Sequence, residues 1–533
     1  MIADLGTRAS GVYAPAEEVL LREPPAGTGA TILGCDGCSA AGEDRFGRSR
    51  ERFEQMLGWL DGEESGRLEH FDLESRLESD GRELLRSLFQ DHLDLRAERE
   101  ERVEEVTDVA GVVRGAVEAG HHRPLASVFG ELTVTRLAYR RRGQENVHVA
   151  DSVLNLPEEH ASHGVRRIAA IESARGSFDD AVAQVRERTG LSIGKRQVEQ
   201  LADRAAVDFD AFYATRERDR SATEADVLVL SADGKGIVMR PDALAATAKA
   251  AARASPKLQT RLSKGEKRNR KRIAEVGAVY DIEPATRTAA EVLARTEEKT
   301  TQPPKVSGKW LTASVTRDAA SVIADIFAEA ERRDPEHRRT WVALVDGNNH
   351  QIDRIKTEAK THKVKVTILI DLIHVLEYLW TAAWCFHEEG DPDAETWVHE
   401  KATAILEGRA GIVAAAIRRK ATRRGLDGEQ RARADRTADY LLNKRPHLDY
   451  PTALANGWPI ATGIIEGACR HLIKDRMDIT GARWSLAGAE AILKLRAIRS
   501  NSDFADYWRY HLSQEHHRVH HSRYANATVP RHT

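Results

Sequence analysis

Cysteine is scarce in this chain: four residues, Cys35, Cys38, Cys385 and Cys469, among 533. That excludes a disulfide scaffold and fits a reducing compartment. Long apolar runs are absent as well; no stretch approaches the roughly eighteen residues of a membrane span. The opening MIADLGTRAS lacks the basic flank and apolar core of a signal peptide. The expectation is therefore a cytoplasmic protein with no membrane partner. Neither charge is in excess: 80 Lys and Arg against 83 Asp and Glu leave a net −3. Composition thus announces no nucleic-acid partner, and the placement of charge has to decide that question.

What is present is enough apolar material for real cores, 41% of residues, in a chain long enough for several domains. Residues 1–50 are rich in Gly, Ala and Pro without periodicity and read as poorly ordered. Their CDGC pair, Cys35 and Cys38, is half of a zinc site with no second pair nearby. Residues 51–120 read as a charged helical arm, with Leu84, Leu85, Leu88 and Phe89 spaced for one face. Such an arm suits either oligomerisation or plain solvation.

Within 121–220 the stretch 125–142, LASVFGELTVTRLAYRRR, alternates like strands. A helix then runs to about Arg188, followed by a turn with Gly190 and a cap candidate, Ser192. A second helix opens with Lys195, Arg196 and Gln197. That layout predicts a helix-turn-helix whose second helix offers these polar residues to the major groove, although all-α segments often imitate it.

From residue 221 strands alternate with helices. DVLVLSADGKGIVM predicts a buried strand ending at Asp233 with a Gly-flexed return. IAEVGAVYDI and WLTASVT follow as strands, then helix, a strand stopping at Asp346, helix, and a strand stopping at Asp371. Runs of strands followed by alternating units suggest a mixed sheet flanked by helices, the order of a ribonuclease-H-like α/β fold. Carboxyl ends of strands face a crevice. Any one Asp there can simply open a turn or cap a helix; three together need cations, and their oxygens suit Mg²⁺ or Mn²⁺.

Between the first two strands, residues 256–272 hold eight Lys or Arg against Glu266 alone. Lys264, Lys267, Arg268, Arg270, Lys271 and Arg272 are phosphate-contact candidates there, against the alternative of a solvated loop. Residues 380–455 read as an all-helical insertion, and 456–500 return to the α/β domain (221–379 and 456–500). In the latter block Glu466 lies at a helix start with Arg470 one turn on, either an ordinary i,i+4 pair or a last metal carboxylate beside phosphate contacts Arg470, Lys474 and Arg476. Trp484 suits a core position or a stacking surface. Residues 501–533, with EHHRVHH, read as a flexible tail.

SADGKG, LVDGNNH, DLIHVLEYLW and GIIEGACRHLIKDRM with ITGARWS resemble bacterial insertion-sequence DDE transposases, most closely the ISKra family and more distantly the mutator-like group. The resemblance spans roughly residues 50 to 525. It implies Asp233, Asp346 and Glu466 as the catalytic and metal-binding carboxylates, and a helical insertion between the second Asp and the Glu. Asp371 and His374 match the C/D-x-x-H signature of the mutator-like group and stand as supporting residues. Asp371 also competes with Asp346 for the second-ligand role; the position of Asp346 after the first long helix favours Asp346.

The implied chemistry is cleavage and strand transfer at element ends, with two divalent ions (Mg²⁺ or Mn²⁺) about 4 Å apart activating the nucleophile and stabilising the leaving oxygen. The implied partners are terminal inverted repeats, target DNA and further copies of the chain, in the nucleoid of a bacterial cell. A catalytically inactive domesticated DNA-binding protein and another ribonuclease-H-like nuclease are the competing readings.

Overall fold

A computed structural model describes residues 44–530, apart from 217–222, 224, 261–262, 266–268, 295–303 and 480. Cys35, Cys38, Lys267 and Arg268 lie outside the described residues, as do residues 1–43. The chain forms two compact units. One is built from Ala174–Gly176 and Ala202–Tyr507, the other from the preceding part of the chain, Ser177–Leu201 and Trp508–Thr533.

In the latter unit, helices α1 (Gly47–Leu60) and α2 (His70–Glu98) lead. Arg–acid pairs one turn apart line α2, such as Arg76–Asp80 at 2.6 Å and Arg82–Glu78 at 2.7 Å. Asp91, buried on α2, accepts from the Ser49 hydroxyl at 2.6 Å and from Arg48 at 2.9 Å, which docks α1.

The helical arm expected over 51–120 stops at Glu98. Residues Ala116–Ser127 are instead strand β1, paired antiparallel with β2 (Gly130–Arg140). Charged and His residues mask the alternation in the upstream half, but β2 pairs with it on both sides of a bulge between Glu118 and His121. Leu125, Leu132 and Val134 turn inward with Leu93.

Helices α3 (His163–Arg175), α4 (Phe178–Thr189) and α5 (Lys195–Ala205) follow. Val165, Ala181, Val185, Leu191, Val198 and Leu201 form one core among them. A full capping box at Ser177 and Asp180 starts α4, and Gly190 at φ +72° ends it.

The C-terminal segment is not a loose tail. Helix α15 (Phe504–Glu515) continues into a π-helical turn, His516–His520, and His511, His520 and Tyr524 are buried. Arg166, fully buried, explains the order: it donates to Glu515 at 2.7 Å and Glu159 at 2.6 Å, and a buried cation has to be paired.

The other unit is mixed α/β. Its sheet comprises β3 (Val227–Val238), β4 (Lys271–Glu283), β5 (Lys305–Ser314), β6 (Trp341–Val345) and β7 (Val366–Ile370), in the order β5-β4-β3-β6-β7. The first three strands pair antiparallel, whereas β6 and β7 run parallel to β3. Every residue of β6 is buried, the continuous apolar run expected of a strand covered on both faces.

Helix α6 (Ala319–Arg333) lies over one face, where Gly277 leaves room for Ile326. Between β6 and β7 runs α7 (Asn349–Thr361), and α8 (Leu372–Ala383) leaves β7. Next come α9 (Pro392–Leu406), α10 (Ala410–Arg423), α11 (Gly428–Asn443) and α12 (Tyr450–Ala455), an all-helical block as expected over 380–455. Helix α13 (Gly463–Ala468) and α14 (Leu486–Ser500) complete the unit.

Candidate active site

Asp233 does not end its strand. β3 runs on to Val238, because β4 is long enough to keep pairing through Gly234 and Gly236. The parallel neighbour is shorter, and its last pairing is Ser231 with Leu344. Carried two residues forward, that register puts Asp233 level with Asp346. On the other side Val345 pairs with Ile370, so Asp346 is level with Asp371. Three aspartates therefore stand in a row across three adjacent strands. Asp233 pairs with Val276, next to Gly277, so its side chain faces away from α6.

Each aspartate is held locally. Asp233 Oδ1 accepts from the Gly234 N–H at 2.6 Å and Oδ2 from the Cys469 thiol at 3.2 Å. Asp346 Oδ1 accepts from the Asn348 N–H at 2.7 Å, in a turn whose Gly347 has φ +96°. Asp371 is fully buried and caps α8, accepting from the Ile373 N–H at 2.8 Å and from the Thr462 hydroxyl. The cap is the ordinary role of such an Asp, and Asp371 plays it.

Glu466 arrives from α13. Asp371, His374 and Glu466 each offer a ligand atom within 4.8 Å of the others, a geometry suited to a cation. Burial raises the Glu466 carboxyl above its ordinary range, and Asp371, Glu377 and Asp233 push the same way. His374 Nδ1 lies 3.8 Å from Asp371 Oδ2, an ion pair rather than a hydrogen bond. Asp371 holds this imidazolium up at about 9 against burial, with Glu377 and Asp346 adding to the pull. So many acids around one cation-sized space favour a bound positive charge.

The i,i+4 Glu466–Arg470 pair, the ordinary of the two readings, is not formed among the described residues. Cys469–Lys474 is π-helical, which breaks the one-turn spacing, and Arg470 faces Asp475 at 3.7 Å. A π-turn inside a helix is rare and is frequent at functional sites. Here it delivers Cys469 to Asp233. Arg470 and Lys474 are exposed. Arg476 is not: it is buried with its guanidinium 4.6 Å from the Trp484 ring centroid. Trp484 is likewise core, 5% exposed and donating to the Met477 carbonyl at 3.0 Å. Neither reaches solvent to meet DNA, since the apolar lead into α14 draws both inward.

Of the basic run, Lys264 is exposed, and Lys271 and Arg272 open β4 opposite Val238 and Ile237, four to five pairs along the hairpin from Asp233. Arg270 precedes them, its carbonyl accepting from Met239 at 3.0 Å. Arg272 donates to the Val315 carbonyl at 2.8 Å.

In the other unit, Lys195, Arg196 and Gln197 are exposed at the start of α5. That helix begins three residues past Ser192, so Ser192 is not its cap; Gln197, in the first turn, reaches back and accepts from the Gly194 N–H at 2.9 Å. Lys195 pairs with Asp179 at 2.6 Å.

Sequence reasoning missed Thr462, Cys469, Tyr378 and Tyr440. Tyr440 Oη donates to the Asp346 carbonyl at 3.3 Å, and its ring stacks on Tyr378 at 3.8 Å. For Tyr378 a signal existed: Asp371, His374 and Tyr378 sit at i, i+3 and i+7, one helical face. No helix among the described residues is long and apolar enough to cross a membrane. No protein-family model matches the chain, and no curated protein matches it.

Proposed function

We propose that the chain is a DDE transposase on a ribonuclease-H-like fold, cutting and rejoining DNA at insertion-sequence ends with divalent cations. The observation that carries this reading is the convergence of Asp233, Asp346, Asp371 and Glu466 at one end of a mixed sheet, from four separated segments. The strand order β5-β4-β3-β6-β7 and the helical block between β7 and Glu466 support it.

The donor set fits a divalent ion. Asp371 and Glu466 would hold one, joined by His374 once it gives up its proton; Asp233 and Asp346, in register beside Asp371, would be the carboxylates for a second. Oxygen ligands suit Mg²⁺ and Mn²⁺ alike, whereas an imidazole ligand tilts the set toward Mn²⁺. Bound there, such a cation supplies charge stabilisation at the phosphodiester and activates the attacking oxygen. The protein's share is positional. Thr462 and the α8 N-terminus fix Asp371, Gly234 and Cys469 fix Asp233, and Asp371 orients His374. Crowding makes Glu466 hold its proton more firmly, so cation binding and its deprotonation are coupled. Of the phosphate-contact candidates, Lys195, Arg196, Lys264, Lys271, Arg470 and Lys474 are exposed and are the groups we assign to DNA phosphates. The expected partners are element ends and target DNA, met by more than one copy of the chain in the cell interior.

The test is nicking of element-end DNA by the purified chain in Mg²⁺ and in Mn²⁺. Asp233→Ala and Glu466→Gln should abolish it, and His374→Ala should raise the metal concentration needed by about 10–100-fold. Normal cutting by Asp233→Ala would overturn the assignment.

A further inference from the structure

With Trp484 sealed in the core, the site needs another aromatic if it is to steady an unpaired base. We propose that the stacked pair Tyr378–Tyr440 is that platform, binding an unpaired nucleobase next to the scissile phosphate; the proposal rests on the DNA-cleaving reading above.

The two rings lie 3.8 Å apart and 11° from parallel. Both are tied to the carboxylate row. Tyr378 is one turn beyond His374 on the face of α8 that carries Asp371, and Tyr440 reaches the Asp346 carbonyl through its hydroxyl at 3.3 Å. Thr437 on α11 donates to the Tyr378 carbonyl at 3.0 Å, so the two helices are locked at this point. Tyr440 is half-buried among acids, whereas Tyr378 stays 36% exposed although Tyr440 covers one of its faces.

A stacked pair with one ring open to solvent offers a flat, rigid face, and a base presents a flat face of the right size whatever its identity. The rings are neutral, so they can accept a base beside carboxylates that repel the phosphates until cations bind. The helical insertion thereby gains a purpose, because α11 brings Tyr440 to the catalytic strands from about ninety residues downstream of Asp346.

The experiment compares full-length wild type, Tyr378→Ala and Tyr378→Trp on duplex element ends, either fully paired or with unpaired bases at the cleavage position. Binding is read by anisotropy with Ca²⁺ in place of Mg²⁺, and a 2-aminopurine at the unpaired position reports stacking. Wild type should prefer the unpaired end and quench the probe. Tyr378→Ala should lose roughly tenfold of that preference together with the quenching. Tyr378→Trp should keep both, and the melting temperatures of all three should stay close. Equal preference in wild type and Tyr378→Ala overturns the platform while leaving the transposase reading intact. A pair that merely glues α8 to α11 would lower the melting temperature of Tyr378→Ala without changing the preference, and overturns it too. No binding of either DNA by wild type overturns both readings.

Discussion

Trp484 shows how far a single residue's surroundings override its type. In sequence it stands among GARWS, near Glu466 and several cations, where base stacking and core packing are equally open. In the fold it is covered by Arg476 and bonded to Met477. Its loss should therefore cost stability first. Trp484→Ala is expected to destabilise the chain by about 3–5 kcal/mol, measured by chemical denaturation. A variant of unchanged stability but impaired DNA binding would contradict this. Asp371 teaches the converse: its ordinary capping role is real, and it still joins His374 and Glu466 in a cation-sized cluster. Capping was legible from the Asp after an apolar strand; the cluster was not, because Glu466 is 95 residues away along the chain.

At the scale of elements, the strand–helix alternation after residue 221 was readable because buried parallel strands are short apolar runs. Boundaries were less so. The Gly residues after Asp233 suggested a return, yet a partner strand of thirteen residues holds them in the ladder. Ladder length is a property of two strands, and one strand's sequence does not contain it. The turn after β6 is similarly set by a neighbour. At Gly347 the backbone is left-handed, and a Cβ would sit 3.0 Å from Tyr440 Oη and 3.3 Å from Ile370. Gly347→Ala should destabilise by about 1–3 kcal/mol and displace Asp346. The expected readout is a lowered melting temperature with weaker metal-dependent nicking. Unchanged stability would mean the turn relaxes freely.

For the whole molecule, near-neutral charge and few cysteines say little about shape, but buried histidines tie stability to pH. Burial pushes His163 and His520 down to about 4. Each Nε2 donates to a backbone carbonyl, of Asn155 at 2.9 Å and Leu156 at 2.8 Å. An unfolded histidine titrates near 6.5. Below that pH the unfolded chain takes up protons that the folded chain refuses, so stability falls from about pH 6.5 to about pH 4 and levels off below. Above about pH 6.5 the contribution is fully present. A melting-temperature series should show this decline, and His163→Gln with His520→Gln should flatten it. Parallel profiles for variant and wild type would refute the assignment. His520 itself lies in a segment whose sequence reads as a loose tail. The polar, His-rich composition of that segment hides the fact that Arg166 needs Glu515 as a partner.

By itself the sequence determined the alternation of elements, the helical block before Glu466 and the carboxylates worth watching, because local periodicity and apolar runs are properties of adjacent residues. Tertiary structure decided the rest. It put Asp233, Asp346 and Asp371 in register, delivered Cys469 and Glu466 to them, sealed Trp484 away and stacked Tyr378 on Tyr440. Those facts depend on strand register and helix packing between segments far apart in the chain, and no local pattern encodes them.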